Sequence, residues 1–195
     1  KIIDFNKNIG VKFISVFAFS TENWKRPIEE VNYLMNLAKI LVTEYVNTLI
    51  NNDIKLYITG AEENIPDDLL ILLKDAIDKT KNCKSYTLNI AFNYGGKREI
   101  IDGIKRLIKD LEKGKIDQSK LNEENFRNYL YHPDLPDLDL LIRTSGELRI
   151  SNFFLWQLAY SELWFTKKLW PDFSPKDFCK AIYDFQNRKR RFGNV

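Results

Sequence analysis

The strongest constraint on this 195-residue chain is an alternation of short apolar runs with long helical periodicities. Residues 11–19, 54–59, 86–93 and 138–142 read as strands, and residues 163–166 as a fifth. Between the first two, residues 28–49 place Val31, Leu34, Met35, Ala38, Leu41, Val42 and Tyr45 at helical spacing. Asp67 or Asp68 caps a second helix that turns Leu69, Leu70, Leu72, Leu73, Ala76 and Ile77 inward. Gly95-Gly96 leads into a third helix over residues 97–111, and a shorter one at 123–131 precedes the fourth strand. Residues 153–159 suit a short helix. Ser174-Pro175 opens the last helix, with proline in its first turn, and it runs to about residue 190. Strands separated by helices imply parallel crossovers with helices on both faces. The expected fold is therefore α/β, an open, mainly parallel sheet of about five visible strands, in one domain over residues 1–195. Ile2, Ile3, Phe5 and Ile9 look like the end of an amphipathic helix stopped at Gly10. With Lys1 first, this predicts a sequence that starts inside a structural unit, the intact protein then having about six strands.

Composition narrows the function. At 44% hydrophobic and 29% charged, the chain can bury a sizeable core. Its net charge of +3, from 30 basic and 27 acidic residues, argues against general nucleic-acid binding, which needs a clustered basic face. The one basic run, Arg188-Lys189-Arg190-Arg191, reads as a solvated helix end rather than an anchor. Cys83 and Cys179 are distant and unpatterned, so neither a disulfide nor a zinc site is implied and a cytoplasmic location fits. The single histidine, His132, sits beside Pro133 in a loop, which leaves no histidine cluster and argues against a histidine-based triad. No apolar run is long enough to span a bilayer.

Open parallel sheets bind ligands beyond the carboxyl ends of their strands. Three polar clusters fall at such ends: Ser20-Thr21-Glu22-Asn23-Trp24-Lys25-Arg26, Asn93-Tyr94-Gly95-Gly96-Lys97-Arg98, and the stretch from Arg143 to Ser151. Each has a structural reading. Trp24 alone suits core or rim packing, Glu22 suits a helix start, and Gly95-Gly96 suits either an anion nest or merely a tight turn. Arg143 and Arg149 alone would suit surface ion pairs. Together with Ser145 and Ser151, however, their guanidiniums match a diphosphate, because the fork of arginine fits phosphate oxygens. Glu162 strengthens this, since an acid among Tyr160, Leu163, Trp164 and Phe165 is costly unless it meets a cation.

The stretches FSTENWKRP (19–27), NIAFNYGGKREI (89–100) and LLIRTSGELRISNFFLWQLAYSELWFT (140–166), with WPDF (170–173) and RRFG (190–193), resemble the cis-prenyltransferases along the whole sequence. The resemblance implies repeated condensation of isopentenyl diphosphate onto an allylic diphosphate such as farnesyl diphosphate. It also implies cis double bonds, Mg2+ as cofactor, a homodimer and a polyprenyl diphosphate product, by default of undecaprenyl length. Arg143, Arg149, Ile150 and Ser151 would bind isopentenyl diphosphate. Ser20, Thr21, Glu22, Trp24 and Arg26 would touch substrate, Asn23 would be the catalytic residue and Glu162 a metal ligand. Because an amide is a poor base, Asn23 suits a hydrogen-bonding positioner, with a diphosphate oxygen taking the proton. The helix over residues 31–45 would help wall the tunnel for the growing chain, although such a face is ordinarily just core. A transient membrane-surface contact for product release is implied, and no nucleic acid.

The sequence departs from the family pattern in having no Asp-Gly-Asn-Gly-Arg-Trp loop and none of the Arg and His that hold the allylic diphosphate. The expectation is that these precede Lys1. Two competing readings remain: a non-catalytic subunit of the same fold that stabilises a partner, and a nucleotide- or phosphosugar-binding α/β protein. The first would be expected to lose Asn23, Arg143, Arg149, Ser151 and Glu162. The second predicts a dinucleotide or P-loop fingerprint, and neither occurs.

Overall fold

In the computed structural model, residues 2–189 are described. The RRFG stretch at 190–193 and the end of the basic run lie outside them. In chain order the elements are α1 (Ile2–Asn6), β1 (Phe13–Ser20), α2 (Ile28–Asn51), β2 (Ile54–Thr59), α3 (Asp67–Thr80), β3 (Tyr86–Tyr94), α4 (Gly96–Glu112), α5 (Glu123–Phe126), β4 (Leu140–Arg143), β5 (Glu162–Phe165) and α6 (Pro175–Gln186). They fall into two compact units, Gly10–Asp134 and Lys1–Ile9 with Leu135–Val195.

In the Gly10–Asp134 unit the strands form a parallel sheet in the order β1-β3-β2. Helices α2 and α3 make the crossovers, since a parallel pair cannot be joined by a tight hairpin. The central strand β3 is buried at all but one of its nine positions, as a strand covered on both faces must be. Spacing of three to five residues along α2 and α3 brings Val31, Met35, Leu69 and Leu73 onto Phe19, Ile65 and Phe92, forming the core. Leu34 and Ala38 pack against it. Met35 is thus a member of this core, Leu34 and Ala38 are partly buried against it, and Leu41 is 45% exposed. A buried polar ladder crosses the sheet. Thr59 Oγ1 donates to Asn89 Oδ1 at 2.7 Å, and Asn89 Nδ2 donates to Ser15 Oγ at 3.1 Å.

In the other unit β4 and β5 pair in parallel, Leu140 beside Glu162 through Arg143 beside Phe165. The chain opens α6 with Ser174 as N-cap and Pro175 at the first turn, as the sequence predicts. Gly10 has φ +79°, the left-handed conformation expected where a helical segment stops.

The strands lie in parallel sheets flanked by helices, one of three strands and one of two, as the expected parallel α/β fold requires. Two expectations about short segments are corrected. Residues 153–159 are turns rather than a helix. Their apolar spacing mimics a helix, but Ser151, Asn152 and Phe154 take φ of 50°, 62° and 42°, which no right-handed helix accommodates. The segment at 123–131 is also shorter than expected, with α5 passing into a 3-10 turn at Arg127–Tyr129.

Candidate active site

The first cluster is delivered by β1. Its register against β3 slips between Phe17 and Phe19 and again between Phe19 and Ser20, an irregularity that re-aims the side chains beyond it. The chain then enters a 3-10 turn, Thr21–Lys25. Asn23 closes this turn, its Oδ1 accepting from the Ser20 N–H at 2.8 Å and its carbonyl from the Arg26 N–H at 3.0 Å. That bond fixes the orientation of the amide, and its NH2 group can donate to a ligand. Glu22 is exposed and accepts from Thr21 Oγ1 at 3.2 Å. Arg26 pairs with Glu30 one helical turn on, both about half exposed. Such a pair is worth little, about 0.3–0.5 kcal/mol, and an anionic ligand can compete with it. Trp24 is the inward member. It meets Phe19 edge-on with ring centroids 5.1 Å apart, and Nε1 donates to Asn93 Oδ1 at 2.7 Å.

The second cluster is buried from Asn93 to Gly96, while Lys97 is exposed and Arg98 half-buried. Tyr94 is fully buried and its hydroxyl donates to Glu99 Oε2 at 2.6 Å. Glu99 Oε1 accepts from the Tyr131 N–H at 3.1 Å. Arg98 bridges Glu63 and Asp102 at 2.7 and 2.8 Å, and these two acids hold its guanidinium above its ordinary range. Burial pushes the Asp102 carboxyl up, but the bonds from Tyr131 and Arg98 outweigh it and hold the group below the usual carboxylate range. Burial and then the Asp102 bond keep the Tyr131 hydroxyl protonated well beyond the usual tyrosine range. Gly95 has φ −161°, an extended conformation rather than the left-handed geometry of a nest. The turn reading of Gly95-Gly96 is the one the backbone supports.

The third cluster belongs to the unit containing β4 and β5. Arg143, half-buried at the end of β4, folds its guanidinium across the following loop. Its NH1 donates to the Arg149 carbonyl and to Ser151 Oγ, both at 2.7 Å. Nε and the other terminal nitrogen have no partner among the described residues. Ser145 and Gly146, at φ 72° and 74°, let the loop turn, and their N–H groups bond to the Lys168 and Thr166 carbonyls. Arg149 is exposed and pairs with Glu147. Half-buried Ile150 ends the loop, its carbonyl accepting from the Phe153 N–H at 3.1 Å. The structure thus brings Arg143, Arg149, Ile150 and Ser151 together on one loop.

Glu162 starts β5 and does meet a cation. Arg188 NH1 lies 2.6 Å from its Oε2, while Arg188 NH2 donates to the Leu163 carbonyl at 3.0 Å. Arg188 is a partner of Glu162 that the sequence reading set aside, because a basic run at a helix end resembles solvated charge. No group of three or more His, Cys, Asp or Glu among the described residues could hold a metal by itself. The donor set still fits Mg2+ in part. That ion commonly takes one or two carboxylates and completes its shell with phosphate oxygens and water, and Glu162 supplies one carboxylate.

A parallel α/β fold with an arginine-serine loop at a strand's carboxyl end suits a protein that handles anions, and the comparisons make the class specific. Residues 1–193 match the Prenyltransf family model, that of undecaprenyl diphosphate synthase. An isoprenyl transferase of Thermotoga maritima is 48% identical over 193 residues, 99% of this chain and 82% of that protein. One from Listeria monocytogenes is 48% identical over 187 residues, 96% of this chain and 74% of that protein. Lavandulyl diphosphate synthase from Lavandula x intermedia, solved with dimethylallyl diphosphate, superposes with TM-score 0.95 at 31% identity, covering 99% of this chain and 84% of that one. A probable undecaprenyl diphosphate synthase from Campylobacter jejuni gives 0.88 at 34% identity, covering 98% and 88%. The chain belongs to the undecaprenyl diphosphate synthase family and is a cis-prenyltransferase. The non-catalytic reading is not favoured.

Proposed function

We propose that the protein adds isopentenyl diphosphate units to an allylic diphosphate such as farnesyl diphosphate, giving a polyprenyl diphosphate of undecaprenyl length. The observation that carries this reading is the Arg143 clip. A guanidinium already fixed by the Arg149 carbonyl and Ser151 Oγ presents its remaining edge without further ordering, and preorganised donors cost no reorganisation when charge arrives. In this reading Arg143, Arg149 and Ser151 hold the isopentenyl diphosphate and Ile150 anchors their loop. Ser20, Thr21, Glu22, Trp24 and Arg26 contact substrate.

Each condensation breaks the allylic C–O bond and releases diphosphate. It forms one C–C bond and removes one proton from the isopentenyl unit. Asn23, with its oxygen held by the Ser20 N–H, orients substrate through its NH2 group, and a diphosphate oxygen accepts the proton. Glu162 would hold Mg2+, which when bound neutralises diphosphate charge and helps the leaving group depart. No described helix is long and apolar enough to cross a membrane. We place the protein in the cytoplasm as a homodimer acting as one catalytic domain, touching the membrane surface only to release product, without nucleic acid as a partner.

The test is incubation of the complete gene product with farnesyl diphosphate, Mg2+ and radiolabelled isopentenyl diphosphate. Label should pass into butanol-soluble polyprenyl products. No incorporation with any allylic starter would refute the reading.

A further inference from the structure

We infer that Asn93 is a positioning residue for the reaction, fixing the Ser20–Arg26 turn to the β2–α3 loop through the indole of Trp24. This rests on the function proposed above. Asn93 ends β3 at φ 50° and is 3% exposed. A left-handed non-glycine residue is uncommon and asparagine tolerates it best, so the position is already selective.

The side chain is then used at both ends. Oδ1 accepts from Trp24 Nε1 at 2.7 Å, and Nδ2 donates to the Ala61 and Glu63 carbonyls, each at 2.8 Å. The Asn93 carbonyl accepts from the Ala61 N–H at 3.1 Å. Only an amide fits this arrangement, because the indole can only donate and the two carbonyls can only accept. The loop it grips is held against β3: a Cβ on Gly60 would lie 1.8 Å from the Phe92 carbonyl oxygen.

Trp24 is thus clamped between the Phe19 ring and the Asn93 amide, and the residue before it is Asn23. Rotation of the indole would displace the NH2 group of Asn23. Small misplacement of a positioning group can lower a rate by about a hundredfold. If Asn93 were merely structural, its loss would lower stability and leave turnover of the folded enzyme alone.

The test compares Asn93→Ala, Trp24→Phe and the double variant in the complete gene product. Trp24→Phe keeps an aromatic ring against Phe19 but has no N–H, so it breaks this bond even where Asn93→Ala folds poorly. Each single variant should lower kcat about ten- to a hundredfold at temperatures well below its Tm. The double variant should be no worse than the slower single. In parallel, hydrogen exchange of the Trp24 indole N–H, read by NMR without substrate, should quicken about tenfold or more in Asn93→Ala. Wild-type kcat in Trp24→Phe, multiplicative losses in the double variant, or unchanged indole exchange would each overturn the inference. A wild-type protein that exchanges as expected but transfers no prenyl group would refute the proposed function instead.

Discussion

Arg143 and Arg149 carry the same charge on one loop but are held differently, and their variants should separate accordingly. Arg149 is 62% exposed and its tie to Glu147 is a surface pair, worth about 0–1 kcal/mol. Arg149→Ala should leave Tm nearly unchanged. It should raise KM for isopentenyl diphosphate about ten- to a hundredfold, the equivalent of one charged hydrogen bond of about 1.5–3 kcal/mol. Arg143→Ala should show a comparable KM defect and, because the clip onto Arg149 and Ser151 is lost, faster proteolysis of the loop over residues 144–151. Arg143→Lys should not restore it, since one ammonium cannot reproduce the planar fork. Steady-state kinetics with limited proteolysis read both effects. At this scale the sequence was informative about which residues carry charge and not about what each one faces. The apolar surroundings of Glu162 announced a positively charged partner, but not that Arg188, 26 residues away, would be among its partners. Asn93 was legible as part of a polar cluster at a strand end, but not its contacts, because these depend on Trp24 and residues 61–63, which only the folded chain brings near.

Among the elements, α6 begins on a capping box whose acid is Asp177. Lys168, then the Ser174 hydroxyl and N–H, hold its carboxyl far below the usual carboxylate range. A depressed folded pKa contributes stability that is complete above the unfolded value, about 4, and is lost as pH falls through the folded one. The Tm gap between wild type and Asp177→Ala should therefore be full at neutral pH and narrow below about pH 4. A gap unchanged down to strongly acidic pH would contradict this. The buried ladder gives a second prediction. Asn89→Leu strands Thr59, which is 1% exposed, and should cost about 1–3 kcal/mol by urea unfolding. Adding Thr59→Val should recover part of that cost, because replacing both partners spares the desolvated hydroxyl. Most elements were legible in advance. The range 54–59 for β2 is the observed one, and α2 and α3 follow their apolar spacing. What failed were short segments, at 123–131 and 153–159, where a few apolar residues cannot separate a helix from successive turns and local φ decides.

For the whole molecule, the parallel α/β architecture followed from the strand-helix alternation, whereas the pairing order β1-β3-β2 and β4-β5 did not, because periodicity carries no information about which strands pair. The family, the fold and the arginine-serine loop converge on condensation with cis geometry, and the geometry of the product is what most directly tests it. Products made by the complete gene product from farnesyl diphosphate and isotopically labelled isopentenyl diphosphate should be analysed by mass spectrometry for length and by NMR for each new double bond. The account predicts several added units, every new bond cis, with the two trans bonds of the starter unchanged. Trans bonds at the added units, or a starter returned without any addition, would contradict it.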